Sequence, residues 1–280
     1  MDIQEVQLSD NHRKILKRLV EVCEADERVV AAFLVGSYVH GTPDEHSDLD
    51  LYVVTSDESY DAFVSARESF VRWLGEPLFI EDFDIPGIVF LIFPDGSEIE
   101  IHYARAGQLN SIFNEPYKVL LDKKNITARV VSGEEREFNQ EEQAEKLRRL
   151  IYWFWHDFSH FITAMGRNQL WWAQGQLDVL RSMCVGLARL KNDFSDPEVE
   201  GEVYFKIEKV MRVDQLSSLR VTYCSMEKKA MLESAFVILR FYRELAVPLA
   251  RQHAIYYPAV LEQVMVERFN KVRSESFVLP

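Results

Sequence analysis

The sequence is short of the residues that mark several protein classes. It has three cysteines in 280 residues, Cys23, Cys184 and Cys224, far apart and without a CxxC pair. That excludes a disulfide framework and a cysteine zinc cluster. No uninterrupted apolar run reaches the roughly 18 residues of a membrane-spanning helix. The opening Met1-Asp2-Ile3-Gln4-Glu5 lacks the basic-then-apolar order of a secretory signal. The expectation is a soluble, reduced, cytoplasmic protein with no membrane partner. Positive charge is scarce: 32 Lys and Arg stand against 45 Asp and Glu, a net −13. Such a field repels phosphate chains and argues against a general nucleic-acid coat, while it draws in cationic small molecules. What the chain does have is 48% hydrophobic residues, enough for the core of one large domain or two ordinary ones.

Apolar periodicity divides the chain into two halves. Ile15, Leu16, Leu19, Val20 and Cys23 recur at helical spacing and predict a helix from Asn11 to Ala25. Val29 to Val35 is nearly all apolar and ends at Gly36, the pattern of a strand buried on both faces. Leu49 to Thr55 predicts a second strand. Phe63, Ala66, Phe70, Trp73 and Leu74 predict one helix, capped by Ser56 or Asp57 and stopped by Gly75 and Pro77. Ile88 to Phe93 and Glu98 to Tyr103, joined by Pro94-Asp95-Gly96, predict a β-hairpin, and Tyr117 to Leu121 a further strand. Beyond the polar Val131 to Glu137 the period becomes helical throughout. One stripe runs through Leu147, Ile151, Phe154, Phe158, Phe161, Ile162 and Met165; another through Leu170, Leu177, Leu180, Cys184, Leu187 and Leu190. Two later stripes follow, one through Met231, Ile238, Phe241 and Leu245, stopped by Pro248, and one through Leu261, Val264, Met265 and Phe269. The expected fold class is α+β, a mixed sheet with flanking helices over residues 1–135, followed by a helical bundle over 136–280.

The chemistry-bearing stretch is Gly36-Ser37-Tyr38-Val39-His40-Gly41-Thr42-Pro43-Asp44-Glu45-His46-Ser47-Asp48-Leu49-Asp50-Leu51. Gly36 permits a sharp turn and close approach of backbone to a ligand. Ser37 brings a hydroxyl and a main-chain N–H to the start of a short helix, where phosphate is attracted. A P-loop is excluded, because Thr42 stands where its lysine belongs. Asp48 and Asp50 are two apart on a strand, so their carboxylates share a face and need a counter-charge. Mg²⁺ supplies one, as a hard cation that takes carboxylate and phosphate oxygens together. A third acid is offered by Glu98-Ile99-Glu100-Ile101-His102, in which Glu98, Glu100 and His102 share a face and Glu98 is the member turned to solvent.

These residues resemble the signature of the DNA polymerase β-type nucleotidyltransferase superfamily: Gly-Ser, a loop, then Ser47-Asp48-Leu49-Asp50-Leu51. Within it the chain is most similar to the adenylyltransferases that modify aminoglycosides and lincosamides, whose hairpin carries a glycine shortly before an acid, here Gly96-Ser97-Glu98-Ile99-Glu100. The match covers residues 30 to 103. The resemblance implies ATP as nucleotide donor, its triphosphate at Gly36, Ser37 and Ser47. It implies two Mg²⁺ ions held by Asp48, Asp50 and Glu100, with Glu100 a ligand, a general base, or both. The implied reaction passes AMP to a hydroxyl of a small molecule, an aminoglycoside before a lincosamide. The helical half would bind the acceptor, and a homodimer is allowed. AMPylation of a protein, as by antitoxin-type relatives, and a non-catalytic nucleotide-binding module are the alternatives.

Other features have blander readings. His156 and His160 at i and i+4 resemble a helical zinc motif, but Asp157 replaces its glutamate, and histidines on a helix face are the expectation. Trp171 and Trp172 cannot both face one core; one is a candidate to line an acceptor site beside Gln174 or Asp178, against packing on a neighbouring helix. Arg181, Arg189, Lys191, Lys228 and Lys229 are candidate triphosphate contacts.

Overall fold

The computed structural model describes residues 8–85, 87–109, 116–127, 139–194 and 202–277. The chain forms two compact units, Met1–Glu137 and Phe138–Pro280. The polar stretch 131–137 lies outside the described residues.

The first unit begins with helix α1, Asp10–Ala25, capped by Ser9, whose side chain accepts from the His12 N–H. Its buried stripe is Ile15, Leu16, Leu19 and Cys23. Strand β1, Val29–Leu34, is wholly buried, as expected for a strand covered on both faces. A four-residue helix, α2 (Ser37–His40), follows, and then β2, Leu49–Thr55. The single helix expected around Phe63 to Leu74 is two short ones, α3 (Tyr60–Ser65) and α4 (Arg67–Arg72), broken at Ala66 with φ −103°. The break lets Phe63, Val64, Phe70 and Val71 all reach the core, while Trp73 stays exposed. A short edge strand not foreseen in the sequence, β3 (Phe79–Glu81), precedes the hairpin β4 (Ile88–Ile92) and β5 (Glu98–Arg105). The hairpin turn closes with Phe93 N–H donating to Ser97 O at 3.0 Å, around Gly96 at φ +82°. Strand β6, Lys118–Asp122, completes the sheet.

The six strands lie in the order β3-β4-β5-β2-β1-β6. Only β2 with β5 is parallel; the other four pairings are antiparallel. Alternation along β2 sends Leu49, Leu51 and Val53 into the cluster beneath α1, α3 and α4. Tyr52 and Val54 go to a smaller cluster on the opposite face, with Phe33, Ala104 and Ile126. Asp50, between Leu49 and Leu51, shares that second face.

The second unit is built from α5 (Gln140–Gly166), α6 (Leu170–Asn192), α7 (Ile207–Val210), α8 (Val213–Arg220), α9 (Lys228–Gln252) and α10 (Ala259–Phe277). Its core is aromatic. Phe154 stacks on Tyr242 with ring centroids 3.6 Å apart, and Phe158, Phe161 and Phe269 continue the contact. The Tyr242 hydroxyl donates to Ile151 O at 2.8 Å, which satisfies a polar group buried among rings. Pro248 does not end its helix as the sequence suggests; α9 continues to Gln252. A proline cannot donate to the carbonyl four residues back. That carbonyl, Glu244 O, accepts from Lys191 Nζ at 3.1 Å instead. Among the described residues no helix is long and apolar enough to cross a membrane.

Truncating the most enclosed ring of this core tests the packing. Phe154→Ala removes a fully buried side chain and should cost about 3–5 kcal/mol, read as a lowered urea midpoint of the helical unit.

Candidate active site

The site grows from one register. Parallel pairing of β2 with β5 sets Asp50 opposite Glu100, on strands about 4.8 Å apart. Each acid is half-buried between fully buried neighbours, Leu49 and Leu51 for one, Ile99 and Ile101 for the other. The apolar neighbours anchor the strands in the core and leave the acids on the opposite face. Asp48, just before β2, is also half-buried. Glu98 is exposed, as its place beside the turn suggested.

Gly36 is required where it stands. Its backbone lies at φ +69°, ψ −152°, a conformation open to glycine and strained for other residues. A Cβ built there would fall 1.9 Å from Asp50 Oδ2. The Asp50 carboxylate therefore rests directly against the turn, and the Val35 N–H donates to Asp50 O at 3.0 Å. Ser37 follows with a buried hydroxyl that has no hydrogen-bond partner within the protein. Buried polar atoms are seldom left unmade, so an Oγ of this kind suits a ligand oxygen. Ser47 is differently employed. Its Oγ accepts from the Asp44 N–H at 2.9 Å and donates to Asp44 Oδ1 at 3.3 Å, which closes the loop before Asp48.

Glu100 has a partner that sequence reasoning placed on the same face without pairing. His102 Nε2 lies 2.6 Å from Glu100 Oε1, and the imidazole stacks on Tyr52 with centroids 4.7 Å apart. The hydrogen bond to His102 outweighs the cost of burial and holds the Glu100 carboxyl below the usual carboxylate range. The donor set of Asp48, Asp50 and Glu100 is all oxygen and suits a hard divalent cation such as Mg²⁺. Their carboxylates do not all lie within 4.8 Å of one another, since among the described residues that spacing is met by His156, Asp157 and His160. His102 holds Glu100 Oε1, and a hydrogen bond of this kind fixes the orientation of a carboxylate.

A concavity of about 1300 Å³ adjoins the site, lined by His12, Tyr38, Asp48, Asp95, Ser97 and Glu98 among others. Asp50 and Glu100 are not part of its lining. Its frame comes from contacts distant in sequence that no local pattern announces. His12 Nδ1 pairs with the Tyr38 hydroxyl at 2.8 Å and ties α1 to α2. Asn11 Nδ2 donates to Asp95 Oδ1 and to Ser97 Oγ, both at 2.9 Å, and ties α1 to the hairpin tip. Burial lowers the His12 pKa from its ordinary value, opposed by the charges of Asp95 and Asp48.

The cations named from the sequence belong to the helical unit. Arg181 and Arg189 are buried in the helical unit, Arg181 bonded to Asp178 and Thr222 O, Arg189 to Phe205 O at 2.9 Å. Lys191 holds Glu244 O. Buried guanidinium groups need such partners, so these side chains staple loops to helices. Trp171 is 83% exposed, and Trp172 lies beside His160 with centroids 5.8 Å apart. Arg13 and Lys14 are the described Lys or Arg side chains that line the concavity.

A Gly-Ser turn at a strand end, Asp48 before and Asp50 on the next strand, and Glu100 opposite Asp50 on a parallel partner form the arrangement expected of a nucleotidyltransferase. The chain belongs to the streptomycin adenylyltransferase family, whose model matches residues 10–272. It is therefore an enzyme of the adenylyltransferase kind, which sets aside the non-catalytic alternative. Among solved structures it is similar to an aminoglycoside 6-adenyltransferase from Bacillus subtilis, at 16% identity over 95% of this chain and 99% of that one, TM-score 0.43. It is also similar to a nucleotidyltransferase-like protein from Exiguobacterium sibiricum, at 11% identity over 83% and 74%, TM-score 0.39. No curated protein matches it.

Two measurements test this geometry. Gly36→Ala places a methyl group on the Asp50 carboxylate in a strained conformation, and should cost on the order of 1–3 kcal/mol in chemical denaturation. The lowered pKa of His12 means that the unfolded chain takes up a proton near pH 6.5 that the folded chain refuses until lower pH. The His12 contribution to stability is thus present above that pH and lost as pH falls through the folded value. Melting temperatures between pH 8 and 5, compared across wild type and His12→Gln, should fall more steeply for wild type.

Proposed function

We propose that this enzyme is a metal-dependent adenylyltransferase that moves AMP from ATP to a hydroxyl of a small cationic acceptor, an aminoglycoside antibiotic. The observation that carries the reading is the register pairing of Asp50 with Glu100 beside the turn that Asp50 covers. Membership of the streptomycin adenylyltransferase family and the net charge of −13 support a polycationic acceptor over a lincosamide.

In this reading the side-chain-free Gly36 turn and the unpartnered Ser37 hydroxyl receive the triphosphate, and Ser47 fixes the loop that delivers Asp48. Asp48, Asp50 and Glu100 hold the divalent ions, two in number. A bound divalent ion supplies positive charge against the triphosphate and lowers the pKa of a hydroxyl it touches. The acceptor oxygen bonds to the α-phosphorus as the bond to the leaving pyrophosphate breaks. Glu100, oriented by His102, either receives the acceptor proton or shares in ion binding. The protein contributes positioning and charge placement, the main sources of rate in this class of transfer. The helical unit, residues 138–280, carries the acceptor contacts.

Purified protein with MgATP and a panel of aminoglycosides should release pyrophosphate and lose that activity in EDTA. Asp50→Asn should lower turnover by on the order of 10²–10³-fold with an unchanged circular dichroism spectrum. Release with a lincosamide alone would move the acceptor class, and labelled AMP on a polypeptide would replace the small-molecule reading.

A further inference from the structure

The helical unit holds a cluster that the proposed transfer does not use. His156, Asp157 and His160 lie on α5, and one ligand atom from each falls within 4.8 Å of the others. His156 Nδ1 is 2.9 Å and His160 Nδ1 3.9 Å from Asp157 Oδ1. The imidazole centroids are 4.3 Å apart. We propose that these three side chains form a second cation site, separate from the carboxylates of the first unit, for a borderline transition metal of the Zn²⁺, Ni²⁺ or Co²⁺ class.

A tetrahedral ion with ligand bonds of about 2.0–2.2 Å sets its ligand atoms ~3.4 Å apart, and the 2.9 and 3.9 Å separations fall on either side of that value. Small side-chain rotations close the difference. The i, i+4 pair sits near the middle of a 27-residue helix, so the backbone already holds the imidazoles on one face. Asp157 is held low, its side chain 13% exposed, while His156 and His160 are 60% and 42% exposed. The carboxylate forms the floor, and the open side leaves a coordination position for water or a ligand. Trp153 and Trp172 flank the pair, with ring centroids 6.0 Å from His156 and 5.8 Å from His160. Two imidazoles with one carboxylate select the borderline metals; Mg²⁺ prefers oxygen and binds elsewhere. The sequence alone made these histidines ordinary helix-face residues, because an aspartate adjacent to one of them offered no visible third ligand. The structure turns that aspartate toward both.

The test is calorimetric titration of the full-length protein with Zn²⁺ in excess Mg²⁺, which occupies oxygen-only sites. Co²⁺ absorption serves as a second readout of nitrogen ligation. A single tight equivalent is expected, weakened at least about 10-fold in His156→Gln and in His160→Gln. Both positions are exposed, so these variants should keep the wild-type circular dichroism spectrum. Binding should persist unchanged in Asp50→Asn. Equal Zn²⁺ affinity in wild type and both histidine variants, or loss of binding in Asp50→Asn alone, would overturn the proposal.

Discussion

The candidate active site depends on the parallel pairing of β2 with β5. Every other adjacent pair in the sheet is antiparallel. This one requires the chain to leave β2, form α3, α4 and β3, and return through β4 before β5 comes alongside. The reward is a register in which Asp50 meets Glu100 and Tyr52 meets His102. A slip of one residue would bury both acids among Leu51, Val53 and Ile101 and expose those side chains in exchange. The apolar residues that fix the register thus also fix the chemistry, since leucine and isoleucine at the intervening positions leave the strands one acceptable orientation.

Around that register the first unit is braced by polar contacts from α1. His12 with Tyr38, and Asn11 with Asp95 and Ser97, tie one helix end to the short helix after Gly36 and to the hairpin tip. A site that works by positioning gains from such bracing, because small misplacements of reacting groups cost rate steeply. Gly36 adds the complementary constraint. With Asp50 lying on its backbone, no other residue fits without moving the carboxylate.

The helical unit uses its polar residues differently. Arg181 is wholly buried and Arg189 nearly so; each reaches a main-chain carbonyl of a segment that joins helices, and Arg181 also pairs with Asp178 on its own helix. Lys191 caps the carbonyl that Pro248 cannot satisfy. A sequence displays these only as positive charges on helical stripes, and positive charge near a nucleotide enzyme invites a phosphate-binding interpretation. Their burial gives them structural work, and among the described residues of this unit it leaves His156, exposed, and His160, half-buried, beside Asp157 as the cluster with ligand chemistry.

How legible each feature was follows from how local its cause is. Apolar runs and alternation gave β1, β2 and the hairpin within a residue or two, and helical stripes announced the long helices without all of their ends, because burial of one face is written directly into residue order. The Gly36 turn was readable for the same reason, since turn chemistry needs only neighbouring residues; Asp48, read as sharing a strand with Asp50, lies just before β2. The break at Ala66, the edge strand at Phe79–Glu81 and the passage of α9 through Pro248 were not readable, because each depends on a partner from elsewhere in the chain. The same holds for the site: by itself the sequence determined that Asp50 stands in β2 between two buried leucines and which glycine precedes it. Tertiary structure decided that Glu100 lies opposite Asp50 and that His12 and Asn11 frame the adjoining concavity. Strand pairing and hydrogen bonds between distant residues set those distances, and no local periodicity encodes them.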